Sequence, residues 1–273
     1  AQLIRFPIVV TSVTSVGEPL IGDLEPFLWM RRNLPERISA ITSSESHIFV
    51  GDWSGNIGCW DDDGDEKWRF KGDDRVLSLA IANDCSSSIL FAGIGINLVC
   101  ISVKDGSLLW KNELEGSVDF VTCSNDGELV ITTSSVFDIE HEDFMESACW
   151  RFDSQGTLLR VDKFAERPWH TILSDSGIVM MGLGRPKCGL MQQSSVDIQW
   201  EELIEDDPVT CGVSNDYMSL FGHAKGGLSL LRDNAIVQFH SRKNGIETIS
   251  MIEDDILLSQ ENRNLTLIDN EGN

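Results

Sequence analysis

A short turn followed by an aromatic or long side chain recurs along this chain at a period of about 40 residues, and that period constrains the fold more than any other feature. DGDEKW ends at Trp68, DGSLLW at Trp110, SQGTLLR at Arg160, SVDIQW at Trp200 and DNAIVQF at Phe239, with PFLW ending at Trp29 ahead of them. Each period also contains short apolar runs bounded by Gly, Asp, Asn and Ser, as expected of half-buried strands joined by tight turns. In one unit these runs are RVLSLAI, SILFAGI, NLVCISV and SLLWKNE. Four strands per period make one small sheet, which cannot bury its own apolar faces and must stack on its neighbours.

The pattern predicts an all-β chain folded as a β-propeller of four-stranded antiparallel blades in a single domain over residues 1–273. Six repeats plus an abbreviated N-terminal unit, residues 7–36, point to seven blades, with six as the alternative. The last repeat stops before its outer strand. Reading DNEGN into AQLIRF continues the pattern, so the N-terminal strand is expected to complete that blade and close the ring, which removes exposed sheet edges.

With the repeat in place, "VGDWSGNIGCWDDDGDEKWRF" resembles the pyrroloquinoline-quinone-like repeat: a strand ending in Val-Gly, a Gly turn, a second strand, a turn with Asp and Gly, and a Trp. The resemblance is strong over residues 47–70 and 88–112 and implies a β-propeller. Repeats of this kind occur in quinoprotein dehydrogenases, outer-membrane assembly lipoproteins, sensor domains and non-catalytic scaffolds. WD-repeat propellers are the neighbouring pattern, echoed by Trp60-Asp61 but without a Gly-His at the start of any unit. No two Cys are adjacent and the chain is short, both of which count against a quinone dehydrogenase. Fold transfers from such a match and chemistry does not.

Composition narrows the function. A formal charge of −23 over 273 residues argues against a nucleic-acid partner, because phosphate binding draws on clustered Lys and Arg. An acidic, solvated surface is the plain reading of that charge, and a basic protein partner is the sharper one. Seven Cys match neither CxxC nor any zinc spacing. Cys59, Cys100, Cys149 and Cys188 recur on third strands, and Cys123 and Cys211 recur in VTC segments, so they are expected to be packed thiols in a reduced, cytoplasmic protein. The start at Ala1 leaves a trimmed leader open. No apolar run is long enough for membrane insertion as a helix.

Local chemistry is sparse, and no catalytic, cofactor or metal residue is assigned. Asp61, Asp62, Asp63 and Asp65 invite a calcium reading, but the spacing lacks the EF-hand Gly and Glu and falls where other units turn. Residues 136–147, VFDIEHEDFMES, lengthen one unit and read as an elongated surface loop. In a propeller the connections between strands two and three, and between one blade and the next, share one face. That face collects Trp53, Glu140, His141, Glu142, Asp143, Trp169, Arg185, Lys187, His223, Lys225 and Arg263. Trp, Arg and His amid mixed charge are what interfaces favour. The expected function is therefore a non-catalytic scaffold that takes a protein or peptide partner on this face without a cofactor. The alternatives are a quinone- or small-ligand-binding enzyme, or a sensor domain, using the central channel. The outer-strand Trp residues should pack between blades, so Trp68→Ala is expected to cost about 3–5 kcal/mol in a chemical melt; an unchanged midpoint would contradict that placement.

Overall fold

The computed structural model describes residues 9–12, 31–82, 89–184, 188–194, 199–215, 218–232, 235–240, 244–252, 255–261 and 265–269. Among them there is no helix, and the strands form six antiparallel blades arranged as a β-propeller. The first blade is Ile38–Ser43, His47–Asp52, Asn56–Asp61 and Glu66–Lys71; the second is Val76–Ala82, Ile89–Ile94, Asn97–Ser102 and Leu108–Glu113. The third is Ser117–Cys123, Leu129–Asp138, Asp143–Asp153 and Leu158–Phe164; the fourth is Pro168–Leu173, Val179–Leu183, Gly189–Gln193 and Glu201–Glu205. The fifth is Val209–Ser214, Ser219–His223, Leu228–Arg232 and Ala235–His240. The sixth shows three strands, Ile246–Ile252, Asp255–Gln260 and Leu265–Asp269.

Of the two blade counts, six is the one found among the described residues. The described parts of residues 7–36 contribute a parallel pair, Val9–Ser12 with Arg31–Leu34, and not an antiparallel blade. The strand expected to close the ring, AQLIRF, lies outside the described residues.

The first strand of each blade is innermost, and from the first blade to the sixth it packs on the first strand of the blade that follows. A repeated fit joins the blades. The second strands of blades one, two, four and five carry a Gly at the same register: Gly51, Gly93, Gly182 and Gly222. A Cβ at Gly51 would lie 2.4 Å from Val76, one at Gly93 2.3 Å from Val118, and one at Gly222 2.7 Å from Ile246. At Gly182 the nearest atom is the Val209 carbonyl oxygen, 2.5 Å away. Each Gly is thus a hole for a Val or Ile at the start of the next blade, and those knobs are at most 1% exposed. Burying such a side chain contributes about 1.5–3 kcal/mol.

At the rim, two Trp residues act as latches. Trp68 packs against Gly106 in the next blade's turn and donates from Nε1 to the Val103 carbonyl at 2.6 Å. Trp110 does the same over Gly156, donating to the Ser154 carbonyl at 2.9 Å. Phe49 and Phe91 back these rings at 5.9 Å. Trp200 departs from this geometry: it precedes its outer strand and meets Phe164 of the preceding blade edge-on at 5.2 Å.

The thiols follow the packing. Cys59, Cys100, Cys149 and Cys211 are buried while Cys123 and Cys188 are half-buried, and none of these six is in a disulfide. Burial pushes the thiols of Cys59, Cys100 and Cys149 up to about 12. On the face opposite the expected working surface, Asp side chains fold the turns onto themselves. Asp61 accepts from the Asp65 amide at 2.8 Å and pairs with Lys67 at 2.7 Å, and Asp153 accepts from the Gln155 and Thr157 amides. These carboxylates serve backbone geometry.

The latch gives a direct test. Gly106 has φ 72°, and a Cβ there would meet the Trp68 ring at 2.8 Å. Gly106→Ala should cost about 1–3 kcal/mol. The double substitution with Trp68→Ala should cost less than the sum, because removing the ring relieves the clash. Strict additivity in denaturant melts would refute the contact.

Candidate functional site

The innermost strand of every blade carries a bulge near its start, after the first residue or, in the third blade, after the second. Ser39, Leu77, Asp119, Trp169, Thr210 and Glu247 are the extra residues, each without a partner in the register of the second strand. A bulge bends the strand and re-aims one side chain. These positions encircle the mouth of the central channel on the face formed by the connections from strand two to three and from blade to blade. Three of them, Leu77, Asp119 and Trp169, line a cleft of about 230 Å³ together with Val118, Phe120, Arg167 and Pro168.

The cleft centres on an ion pair. Arg167 donates from Nε and Nη2 to Asp119 Oδ1 at 3.2 and 2.8 Å, and Ser135 Oγ donates to Asp119 Oδ2. The Asp119 side chain is only 4% exposed. Burial pushes its carboxyl above the usual range, opposed by the Ser135 hydrogen bond and the Arg167 charge. Arg167 in turn lies over the Phe144 ring at 3.8 Å, which ties the cleft to residues 136–147.

Those residues are not an irregular loop. Leu129–Asp138 and Asp143–Asp153 pair through Asp138↔Asp143, so the segment is a hairpin standing above the blade. Phe137 and Phe144 meet edge-on at 5.2 Å. Asp138 caps the turn, accepting from the amides of Glu140 and His141 at 2.8 and 3.2 Å and pairing with the His141 ring at 3.1 Å. Glu142 takes a positive φ of 53° there. Glu140, His141, Glu142 and Asp143 are all exposed on this tip.

Trp53 sits at the corresponding turn of the first blade, 50% exposed, with the Arg75 guanidinium 4.7 Å from its ring. Asp52 builds that turn, accepting from the Ser54 and Asn56 amides at 2.9 Å and from Asn56 Nδ2 at 2.7 Å. Burial raises the Asp52 carboxyl, but the hydrogen bonds from Asn56 and Ser54 outweigh it and hold it below the usual range. Trp169 lies against Gly184, where a Cβ would come within 2.2 Å of the indole. His223 is buried, with Nδ1 2.9 Å from Asp207 and Nε2 2.8 Å from Ser229 Oγ, so its ring is committed to its own turn. Lys225 is exposed at the end of the same hairpin. Arg185, Lys187 and Arg263 lie outside the described residues.

The structure therefore joins Trp169 to the acidic hairpin through Arg167 and Phe144, and leaves Trp53 on the same face two blades away. Arg167, Asp119, Phe144 and Leu77 were missed from sequence. Asp119 and Arg167 are 48 residues apart, and no local pattern links them. Among the described residues no group of three His, Cys, Asp or Glu could hold a metal ion, and no helix is long and apolar enough to cross a membrane.

No family description and no curated protein matches this chain. Solved structures do. The computationally designed Ika8 protein is similar at a TM-score of 0.67 and 13% identity, over 86% of this chain and 71% of that one. Raptor from Chaetomium thermophilum is similar at 0.67 and 14% identity over 88% of this chain, which spans 24% of Raptor's length. Identities this low show the fold alone.

His170, beside the cleft, sets a pH dependence. Its Nε2 donates to the Gly212 carbonyl of the next blade at 2.9 Å and its ring meets Phe120 edge-on at 5.7 Å. Burial lowers its pKa from 6.5 to about 4, with the Gly212 hydrogen bond opposing. The unfolded chain thus takes up this proton before the folded one, and stability should fall as pH drops from 6.5 towards about 4, by about 3 kcal/mol from this group. His223, also lowered, acts in the same direction, while Asp119, raised, acts in the opposite one. His170→Gln should flatten that part of the stability profile; an unchanged slope in denaturant melts across this range would contradict the assignment.

Proposed function

We propose that this chain is a non-catalytic scaffold that binds a protein or peptide through the face carrying the cleft and the hairpin. A β-propeller commonly serves as a protein-interaction scaffold, and loops on a rigid framework are where binding resides. The observation that carries the reading is the cleft itself. At about 230 Å³ it is smaller than the roughly 300–1,000 Å³ of sites that enclose whole ligands or cofactors, and it suits one inserted partner side chain. Trp169, Phe120 and Leu77 supply apolar walls around the Asp119–Arg167 pair, and Trp and Arg are the residues on which binding energy concentrates.

The acidic surface supports a protein partner over a nucleic acid, and the packed thiols favour a reducing, cytoplasmic setting. Likeness to the pyrroloquinoline-quinone-like repeat enters this reading for its architecture only. The reading assigns no cofactor and no reaction.

Selection of displayed random peptides against the immobilised protein tests it. Selected peptides should lose binding to Trp169→Ala and to a variant whose hairpin tip, residues 138–143, is replaced by an Asn-Gly turn. They should keep binding to Asn125→Ala on the opposite face. Peptides that bind both working-face variants as tightly as the parent would overturn the proposal, provided thermal melts show the variants folded.

A further inference from the structure

On three consecutive blades the hairpin between strands two and three ends in large apolar side chains left to water. Trp53 is 50% exposed, Ile96 41%, Phe137 52% and Ile139 83%. Isolated exposed apolar residues are ordinary, but a run of them along one rim is not. Backbone hydrogen bonds join their turns: Gly72 donates to the Gly55 carbonyl at 2.8 Å, Gly95 to Arg75 at 3.0 Å and Leu114 to Ile96 at 2.8 Å. Gly116 then sits against the Ser135 carbonyl, at the base of the raised hairpin. The knobs form one continuous arc.

The charge along the arc is mixed at the first blade, where Arg37, Lys71 and Arg75 surround Trp53, and acidic over the second and third. Arg75 is stacked on Trp53, Lys111 pairs with Asp73 at 3.7 Å, Lys163 with Glu115 at 2.8 Å, and His141 with Asp138 at 3.1 Å. Carboxylates at Glu113, Glu140, Glu142 and Asp143 remain exposed along the same arc. The geometry points to a docking rim for a basic amphipathic segment of a partner protein: its apolar side chains seat on Trp53, Ile96, Phe137 and Ile139, and its Lys and Arg meet the carboxylates between them. This rests on the reading that this face binds protein, and adds the chemistry of what it binds. Complementary charge raises the encounter rate and rejects acidic competitors.

The probe is a labelled peptide of alternating lysine and leucine, followed by fluorescence anisotropy, with glutamate-leucine and all-lysine peptides as comparisons. The lysine-leucine peptide should bind the parent protein most tightly, and the glutamate-leucine peptide should not bind. Phe137→Ser with Ile139→Ser should weaken binding about tenfold or more, and Ile96→Ser on another blade should weaken it in the same direction. Leu109→Ser with Leu159→Ser, also more than half exposed but on outer strands, should change nothing. Salt near 0.5 M should weaken the complex by screening, to roughly a few ångströms of reach. Equal binding by the hairpin and outer-strand variants, or tight binding of the glutamate-leucine peptide, would overturn the inference. Acidic peptides that bind this face and are lost on Trp169→Ala would overturn it too, while leaving the face a binding surface.

Discussion

Each sheet in this protein is too small to shield its own apolar faces, and everything else follows from how neighbouring sheets solve that problem. The solution is a repeated steric fit: a Val or Ile at the start of one blade enters a gap left by Gly on the second strand of the blade before. The fit brings backbones close near the channel, and the Trp latches close the wider rim. Between the first three blades, apolar burial near the axis and a directional hydrogen bond near the edge together define how far each blade is rotated from the last. A rigid ring of this kind can carry irregular connections at one end without losing its register.

The third blade breaks the rule. At the register where four other blades place Gly it has Thr133, as the sixth has Ser259, and the blade that follows it begins with Pro168 in place of Val or Ile. Its second strand, ITTSSV, buries hydroxyls: Ser134 accepts from the Trp150 indole and donates to the Glu115 carbonyl, and Ser135 donates to Asp119. A buried polar seam replaces a dry joint beside the cleft, where the hairpin rises. Departures from local consistency tend to mark function, and here the departure, the buried ion pair and the cleft coincide. Asp119 is the pivot, since its desolvation is tolerable only with Arg167 and Ser135 in place.

Much of this was legible in the sequence because period and alternation report directly on packing. The strands, the separation of short Asp-Gly turns from irregular connections, and the interblade role of Trp68 and Trp110 all follow from residues that repeat. The bulges could not be read in this way, since one extra residue in a strand such as RVLSLAI leaves a pattern that still alternates acceptably. The hairpin at residues 136–147 passed for a loop because acidic residues at its tip mask the pairing of Phe137 with Phe144. His223 looked available because exposed His is common on turns, whereas Asp207 and Ser229 close around it. Trp200 shares the period of Trp68 but precedes its strand, and so faces the other neighbour.

Methyl-directed NMR in solution tests the radial packing most directly. The account predicts nuclear Overhauser contacts from the Val76 methyls to the Gly51 α-protons, repeated between Val118 and Gly93 and between Ile246 and Gly222. Sheets stacked in any other order would leave those pairs too far apart to couple, and the absence of all three contacts in a folded sample would contradict the account.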